Sequence, residues 1–285
     1  RGEIIHKFMK LLKFDLTKAQ KKVLGEIMNY LEKNEPMNLL LQGDVGSGKT
    51  VVALISLLTG VDNDCQTALM APTELLAEQH FLSIRPFCEA LNITIALVTS
   101  SGTAKEKSLL HSSISNGTTQ IIIGTHALIQ KKIEFSKLGL IVVDEQHRFG
   151  VLQRDALSKK GLTPHVLIMT ATPIPRSLAL TLYGDMNVSF LDEFPPGRIP
   201  IETKLFYEDS RNTAYTLLEK EITEGRQAYV VCPLIEESES IDLKAAIDVS
   251  EELQNRRLPN FKIELIHGKL KKEERQKIMA EFKNG

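Results

Sequence analysis

The chain has 285 residues, 42% of them hydrophobic, 25% charged and 6% aromatic, with no tryptophan and a formal net charge of −1. That length suits two domains at roughly 150 residues each, and the near-neutral charge excludes nucleic-acid binding announced by bulk basicity alone. No apolar run reaches the roughly 20 residues that cross a bilayer, no secretory pattern opens the sequence, and Cys65, Cys88 and Cys232 form no close-spaced pair. The expectation is a cytoplasmic chain with reduced thiols, no membrane partner and no disulfide framework. Residues 1–193 carry 20 basic and 19 acidic side chains, and residues 194–285 carry 15 and 17; a basic face would therefore have to arise by segregation in space.

In chain order, Glu3 to Lys13 is helix-like, and short apolar runs then alternate with helical stretches from residue 38 onward. Strands are expected at 38–42, 66–71, 93–98, 120–124, 139–143, 165–169 and 188–191, with helices at 49–59, 73–90, 103–115 and 151–160. Such alternation builds βα units around a mostly parallel sheet. Ile121-Ile122-Ile123 and Leu140-Ile141-Val142-Val143 are unbroken apolar runs, as strands covered on both faces should be. In 73–90, Leu75, Leu76, Gln79 and Leu82 mark the helical spacing. Phe194-Pro195-Pro196-Gly197-Arg198-Ile199-Pro200 then stops all periodicity, because prolines this dense continue neither a helix nor a central strand. The alternation restarts with strands at 201–207, 227–235 and 261–267 and helices at 211–224, 241–255 and 271–283. The expected division is a first domain at 1–193, a hinge at 194–200 and a second α/β domain at 201–285. The acidic run Glu236-Glu237-Ser238-Glu239 reads as a solvated loop.

Two strings carry chemistry. Gly43-Asp44-Val45-Gly46-Ser47-Gly48-Lys49-Thr50 follows the apolar Leu39-Leu40-Leu41 and fits the phosphate-binding loop pattern with no mismatch. In that pattern glycines let backbone N–H groups close around phosphates, Lys49 reaches the β- and γ-phosphates, and the Thr50 hydroxyl serves Mg²⁺. Leu140-Ile141-Val142-Val143-Asp144-Glu145-Gln146-His147 supplies acids at the end of a buried strand: Asp144 to hold the metal's water shell, Glu145 to polarise an attacking water. Taken alone, each string has a plain alternative, a glycine turn capping a helix and a solvated strand end. Their combination, with Thr170-Ala171-Thr172-Pro173 after another apolar run, points to an ATP- and Mg²⁺-using hydrolase in which Lys49, Asp144 and Glu145 do the chemistry. The histidines show no metal-ligand spacing, so no zinc is expected.

A P-loop, a D-E-x-H box and a second α/β domain behind a hinge resemble the superfamily 2 helicases. Within them, Leu41 to Thr50, Ala71-Pro72-Thr73-Glu74-Leu75-Leu76-Ala77-Glu78-Gln79-His80, Asp144 to Val151, Thr170-Ala171-Thr172-Pro173-Ile174-Pro175-Arg176 and Phe194 to Arg198 resemble the RecG family of bacterial DNA helicases. The transcription-repair coupling translocases share the H-R-F-G-V and T-P-I-P-R strings and are the alternative. The resemblance implies a doubly wound RecA-like domain followed by an incomplete second RecA-like domain. It also implies an ATP-driven motor on branched double-stranded DNA, such as stalled forks and Holliday junctions. It assigns Gln20 and Phe14 to the adenine, with core packing equally open for Phe14, and His147, Thr170 and Thr172 to coupling, with a structural histidine open for His147. Pro72, Thr73, Gly124, Thr125, His126, His267 and Gly268 fall on DNA-facing motifs, where Thr73 could equally be a helix cap. No task follows from residue type for Arg148, Phe149, Gln153 and Arg154. Family members continue past this sequence into arginines that reach the γ-phosphate and carry an amino-terminal wedge domain. The expectations are therefore a monomeric parent protein, and weak or no turnover and self-association for this piece. A nucleotide-binding interaction module without motor activity stays open, whereas a small-molecule kinase fits poorly with the T-A-T-P string and the second domain.

Overall fold

The structure, a computed structural model, describes residues 2–33, 35–99, 103–129, 133–144, 163–172, 186–197, 199, 201–232, 239–268 and 270–284. The chain divides into two compact units, Arg1–Ile199 and Pro200–Gly285.

The first unit is built on a seven-stranded sheet in which every pairing is parallel. Its strands are β1 (Asn38–Gly43), β2 (Gln66–Met70), β3 (Ile95–Val98), β4 (Ile121–Gly124), β5 (Leu138–Asp144), β6 (His165–Thr170) and β7 (Asn187–Leu191), in the order β3-β4-β2-β5-β6-β1-β7. Side chains alternate between the two faces of a strand, and both faces here are covered. Leu39, Leu41, Leu69, Ile121, Ile123, Leu140, Val142, Leu167 and Met169 pack on one side with the helices α1 (Glu3–Leu11), α2 (Lys18–Leu31), α3 (Lys49–Asp62) and α4 (Glu74–Ala90). Leu40, Ala68, Met70, Ile122, Ile141, Val143, Val166 and Ile168 pack on the other, against Ile114 of α5 (Ala104–Ser115) and Leu128. Two-sided burial is why the sequence shows unbroken apolar runs rather than alternation.

All seven expected strands of this unit lie within two residues of the observed ones, and the helices expected at 49–59, 73–90 and 103–115 are α3, α4 and α5. The helix expected at 151–160 lies outside the described residues. Sequence reasoning missed α2, although its signal is present: Thr17 and Gln20 form a capping box ahead of the buried Val23, Leu24 and Ile27. In α4 the extent was read correctly but the buried face was not. Leu75 and Leu82 are exposed, and the helix buries Ala77, Ile84 and Cys88 instead. The spacing 77, 84, 88 keeps one side of a 3.6-residue period against the sheet.

The second unit contains α6 (Arg211–Thr223), α7 (Glu239–Glu252), which runs into a π-helical turn at Leu253–Arg257, and α8 (Lys272–Asn284). Leu253 and Leu258 are buried, and the Arg257 guanidinium lies 5.0 Å from the Tyr215 ring centroid. Among the described residues, the strands expected at 201–207, 227–235 and 261–267 form no sheet ladder. The physical correlate is exposure: Ile201, Leu205, Tyr229 and Val231 lie open, and register is weakly specified where neither face of a segment is buried. Residues 261–267 keep an alternation of half-buried and exposed positions, the pattern of a strand with one face packed.

Candidate nucleotide-binding site

The carboxyl ends of β1, β6 and β5 lie side by side. Across the sheet Leu41 pairs with Met169, which pairs with Asp144, and Gln42 pairs with Thr170. Gly43, which opens the glycine loop, Thr170 and Asp144 therefore share one sheet edge. With neighbouring strands about 4.8 Å apart, Asp144 stands about 10 Å across the sheet from β1, with β6 between. In open α/β sheets, ligands bind at this edge.

The loop between β1 and α3 is held by close packing. Gly46 and Gly48 have φ of +79° and +89°, backbone geometry that favours glycine. A Cβ on Gly48 would lie 2.1 Å from Gln20 Nε2, and one on Gly43 would lie 2.7 Å from Ser47 Oγ and 2.9 Å from Leu191 Cβ. Gln20 is 1% exposed. Its Oε1 accepts from the Thr17 backbone N–H at 2.9 Å, and its Nε2 donates to the Ser47 carbonyl at 2.9 Å. The residue assigned above to adenine thus braces the loop, and an adenine contact would have to use its second Nε2 hydrogen and remaining Oε1 lone pair. Phe14 is 56% exposed, which removes the core-packing alternative.

Lys49 Nζ donates to the carbonyls of Gly43 at 2.7 Å and Asp44 at 3.0 Å, folding the ammonium over the loop. The first turn of any helix presents N–H groups without helical partners. Thr17 caps α2, Thr73 caps α4 and Thr103 caps α5, each accepting a backbone N–H, whereas the N-cap of α3 is Gly48, with no side-chain cap, as is also the case for α1 and α6. Ser47 Oγ, also at this helix start, is buried with no hydrogen-bond partner among the described residues. First-turn amides, the positive end of the helix dipole and a lysine together suit a polyphosphate anion, so the residues present fit the expected triphosphate. Thr50 is exposed in the first turn of α3. A hydroxyl there and the Asp144 carboxylate are the hard oxygen donors that Mg²⁺ takes.

Asp144 ends β5 with its side chain 15% exposed, and its Oδ2 lies 2.6 Å from Nε2 of His80, itself 12% exposed. Thr170 ends β6, buried, and its Oγ1 accepts from the Thr172 backbone N–H at 3.1 Å. Glu145 and His147 lie outside the described residues. Pro72 and Thr73 follow β2, while Gly124 ends β4 and Thr125 follows it; the Ala71 N–H donates to the Gly124 carbonyl at 2.8 Å. These positions occupy adjacent strand ends of the same edge, beyond β5. Thr73 is exposed and is the α4 cap, accepting from the Leu76 N–H at 3.3 Å, whereas Thr125 is buried. His126 opens a short 3₁₀ turn, His126–Ile129. His267 and Gly268 belong to the second unit, His267 half-buried and Gly268 exposed.

Residues 17–181 match the DEAD/DEAH box helicase family, and residues 211–285 match the helicase conserved C-terminal domain. The chain belongs to the DEAD/DEAH box helicases. Among its similar helicases is the ATP-dependent DNA helicase RecG of Synechocystis, 49% identical over 99% of this chain and 34% of that protein. Another is RecG of Streptococcus pneumoniae, 51% identical over 95% of this chain and 40% of that protein. The chain thus spans about two-fifths or less of the length of these curated relatives. Among solved helicase structures, RecG bound to a three-way DNA junction aligns at 42% identity and a TM-score of 0.78, over 100% of this chain and 37% of that one. The DEAD-box helicase Mss116 bound to single-stranded RNA aligns at 0.70 with 19% identity, over 99% of this chain and 62% of that one, a likeness of fold. The RecG-family resemblance and the RecA-like α/β class expected from the motifs therefore hold along the chain. What the helicase motifs did not single out is His80. Its signal was its place on α4, three residues after the buried Ala77 and four before the buried Ile84, where a polar side chain is out of pattern.

Proposed function

We propose that this chain is the ATP-hydrolysing motor of a DNA helicase that remodels branched double-stranded DNA such as stalled forks and Holliday junctions. The observation that carries the reading is the uncapped start of α3 at the sheet edge that also bears Asp144. The amides at the start of α3 and the Lys49 ammonium bind the β- and γ-phosphates, and the glycines let the backbone approach them. Thr50 and Asp144 hold Mg²⁺, which when bound neutralises charge developing on the phosphates. Glu145, the residue after Asp144, orients the attacking water. Thr170, on the strand between the loop and the acid, carries with Thr172 and His147 the coupling between nucleotide state and the second unit. Pro72, Thr73, Gly124, Thr125 and His126 offer backbone and hydroxyl groups to DNA phosphates without reading sequence, and His267 and Gly268 do so from the second unit. The branched-DNA assignment is supported by the relative solved on a three-way junction.

The test pairs two variants in the complete enzyme. Charge-assisted contacts contribute about 1.5–3 kcal/mol, so Lys49→Ala should lower affinity for a fluorescent ATP analogue by about 10- to 100-fold. Glu145→Gln should bind that analogue as the wild type does and lose turnover, measured with and without forked DNA. Unchanged binding by Lys49→Ala, or equal turnover by Glu145→Gln, removes the assignment.

A further inference from the structure

We propose that His80 is a positioning residue for Asp144: it fixes which carboxylate oxygen faces the metal's water shell. The inference rests on the nucleotide-site reading above and adds a residue that the phosphate loop and the acid box do not contain. A carboxylate oxygen only accepts hydrogen bonds, so the 2.6 Å contact requires His80 Nε2 to carry the hydrogen and donate it to Oδ2. With Oδ2 engaged by the imidazole, Oδ1 is the oxygen left to face the nucleotide edge of the sheet.

The contact is protected. Both side chains are largely buried, which limits competition from water and strengthens the bond. Each is also anchored at its base. Asp144 ends a strand whose preceding residues are buried on both faces, and its backbone pairs with Met169 of β6. His80 stands in the second turn of α4, between Ala77 and Ile84 that seat the helix on the sheet. The imidazole therefore cannot follow the carboxylate if the latter rotates; it selects one orientation. Carboxylates that bind metals are commonly held this way by an outer hydrogen-bond partner, and removing the partner costs about 10- to 100-fold in metal affinity or activity.

The experiment uses the full chain, with a non-hydrolysable ATP analogue and Mn²⁺ as a paramagnetic stand-in for Mg²⁺. Electron paramagnetic resonance titration gives Mn²⁺ affinity in the nucleotide complex, and fluorescence gives nucleotide affinity without metal. His80→Ala should weaken Mn²⁺ binding by about 10- to 100-fold and leave metal-free nucleotide affinity within twofold. His80→Gln, whose amide N–H can replace the imidazole donor, should recover most of the loss. Circular dichroism confirms that each variant is folded. Mn²⁺ affinity in His80→Ala within twofold of wild type overturns the proposal, as does a folded His80→Gln no better than His80→Ala. Asp144→Asn separates this failure from that of the site reading. If Asp144→Asn weakens Mn²⁺ binding and His80→Ala does not, only the role of His80 is lost; if neither does, Asp144 is not a metal-holding group.

Discussion

At Gly48 the neighbours leave room for a hydrogen atom and nothing larger. An added Cβ would run into Gln20 Nε2 at 2.1 Å, and φ of +89° is strained for any L side chain. Gly48→Ala should therefore lose nucleotide binding, and adding Gln20→Ala should not restore it, because the second change removes the collision but not the dihedral cost. Gln20→Ala alone removes a buried brace worth about 1 kcal/mol, so affinity for a fluorescent ATP analogue should fall by about fivefold. Wild-type affinity in that variant would show that Gln20 does not hold the loop. The spacing of glycines in the sequence marks Gly48 as special, but it does not say which atom forbids the side chain. Gln20 meets Ser47 only through folding, across 27 residues, and His80 meets Asp144 across 64. Local pattern can mark a side chain such as His80 as out of place, but it does not name the partner that tertiary packing brings to it.

Elements were legible where burial is two-sided. The inner strands of the first unit could be placed because they are apolar runs covered on both faces, as at Ile121 to Ile123, whereas the edge strand β7 leaves Asn187 and Phe190 exposed. The α2 helix was harder to see, because its apolar positions are interleaved with Lys21, Lys22 and Glu26, and its start is marked by a capping box rather than by hydrophobicity. At the opposite end of the sheet from the site, His165 opens β6 and its Nδ1 accepts the Met37 N–H at 2.9 Å. Burial lowers the pKa of His165 below the ordinary histidine value. The unfolded chain then binds more protons than the folded one in the window below about pH 6.5. The stabilising contribution is complete above that pH and is lost as pH falls through the folded-state value. His165→Asn keeps an acceptor oxygen near the Nδ1 position without titrating, so its thermal midpoint should fall less than that of the wild type between pH 7 and pH 5. Parallel falls in both proteins would show that this histidine does not carry the dependence.

At the scale of the whole molecule, the two units differ in how well they bury their apolar residues. The first encloses its sheet, whereas the second leaves Ile201 at 78% and Val231 at 85% exposure. Open apolar residues favour association between copies. Sedimentation velocity of this chain should show a mean mass that rises with concentration, and replacing Ile201 and Val231 together by lysine should reduce the rise. Identical behaviour of the two proteins would move the cause elsewhere. The function of the second unit was less legible than its helices, because the chemistry expected there rests on His267 and Gly268, whereas the first unit carries a loop, an acid and a sheet edge that constrain one another.

The strand that launches the phosphate loop takes both its neighbours from far downstream: β1 is hydrogen-bonded to β6 and β7, not to the β2 that follows it in sequence. On the ribosome, Leu191, which pairs with Gly43, is added roughly 7–30 s after that glycine at about 5–20 residues per second. Until β6 has been made, the nascent chain can assemble β2, β3, β4 and β5 while the strand that leads into the glycine loop has neither neighbour, so that loop gains its support only late in the unit's synthesis.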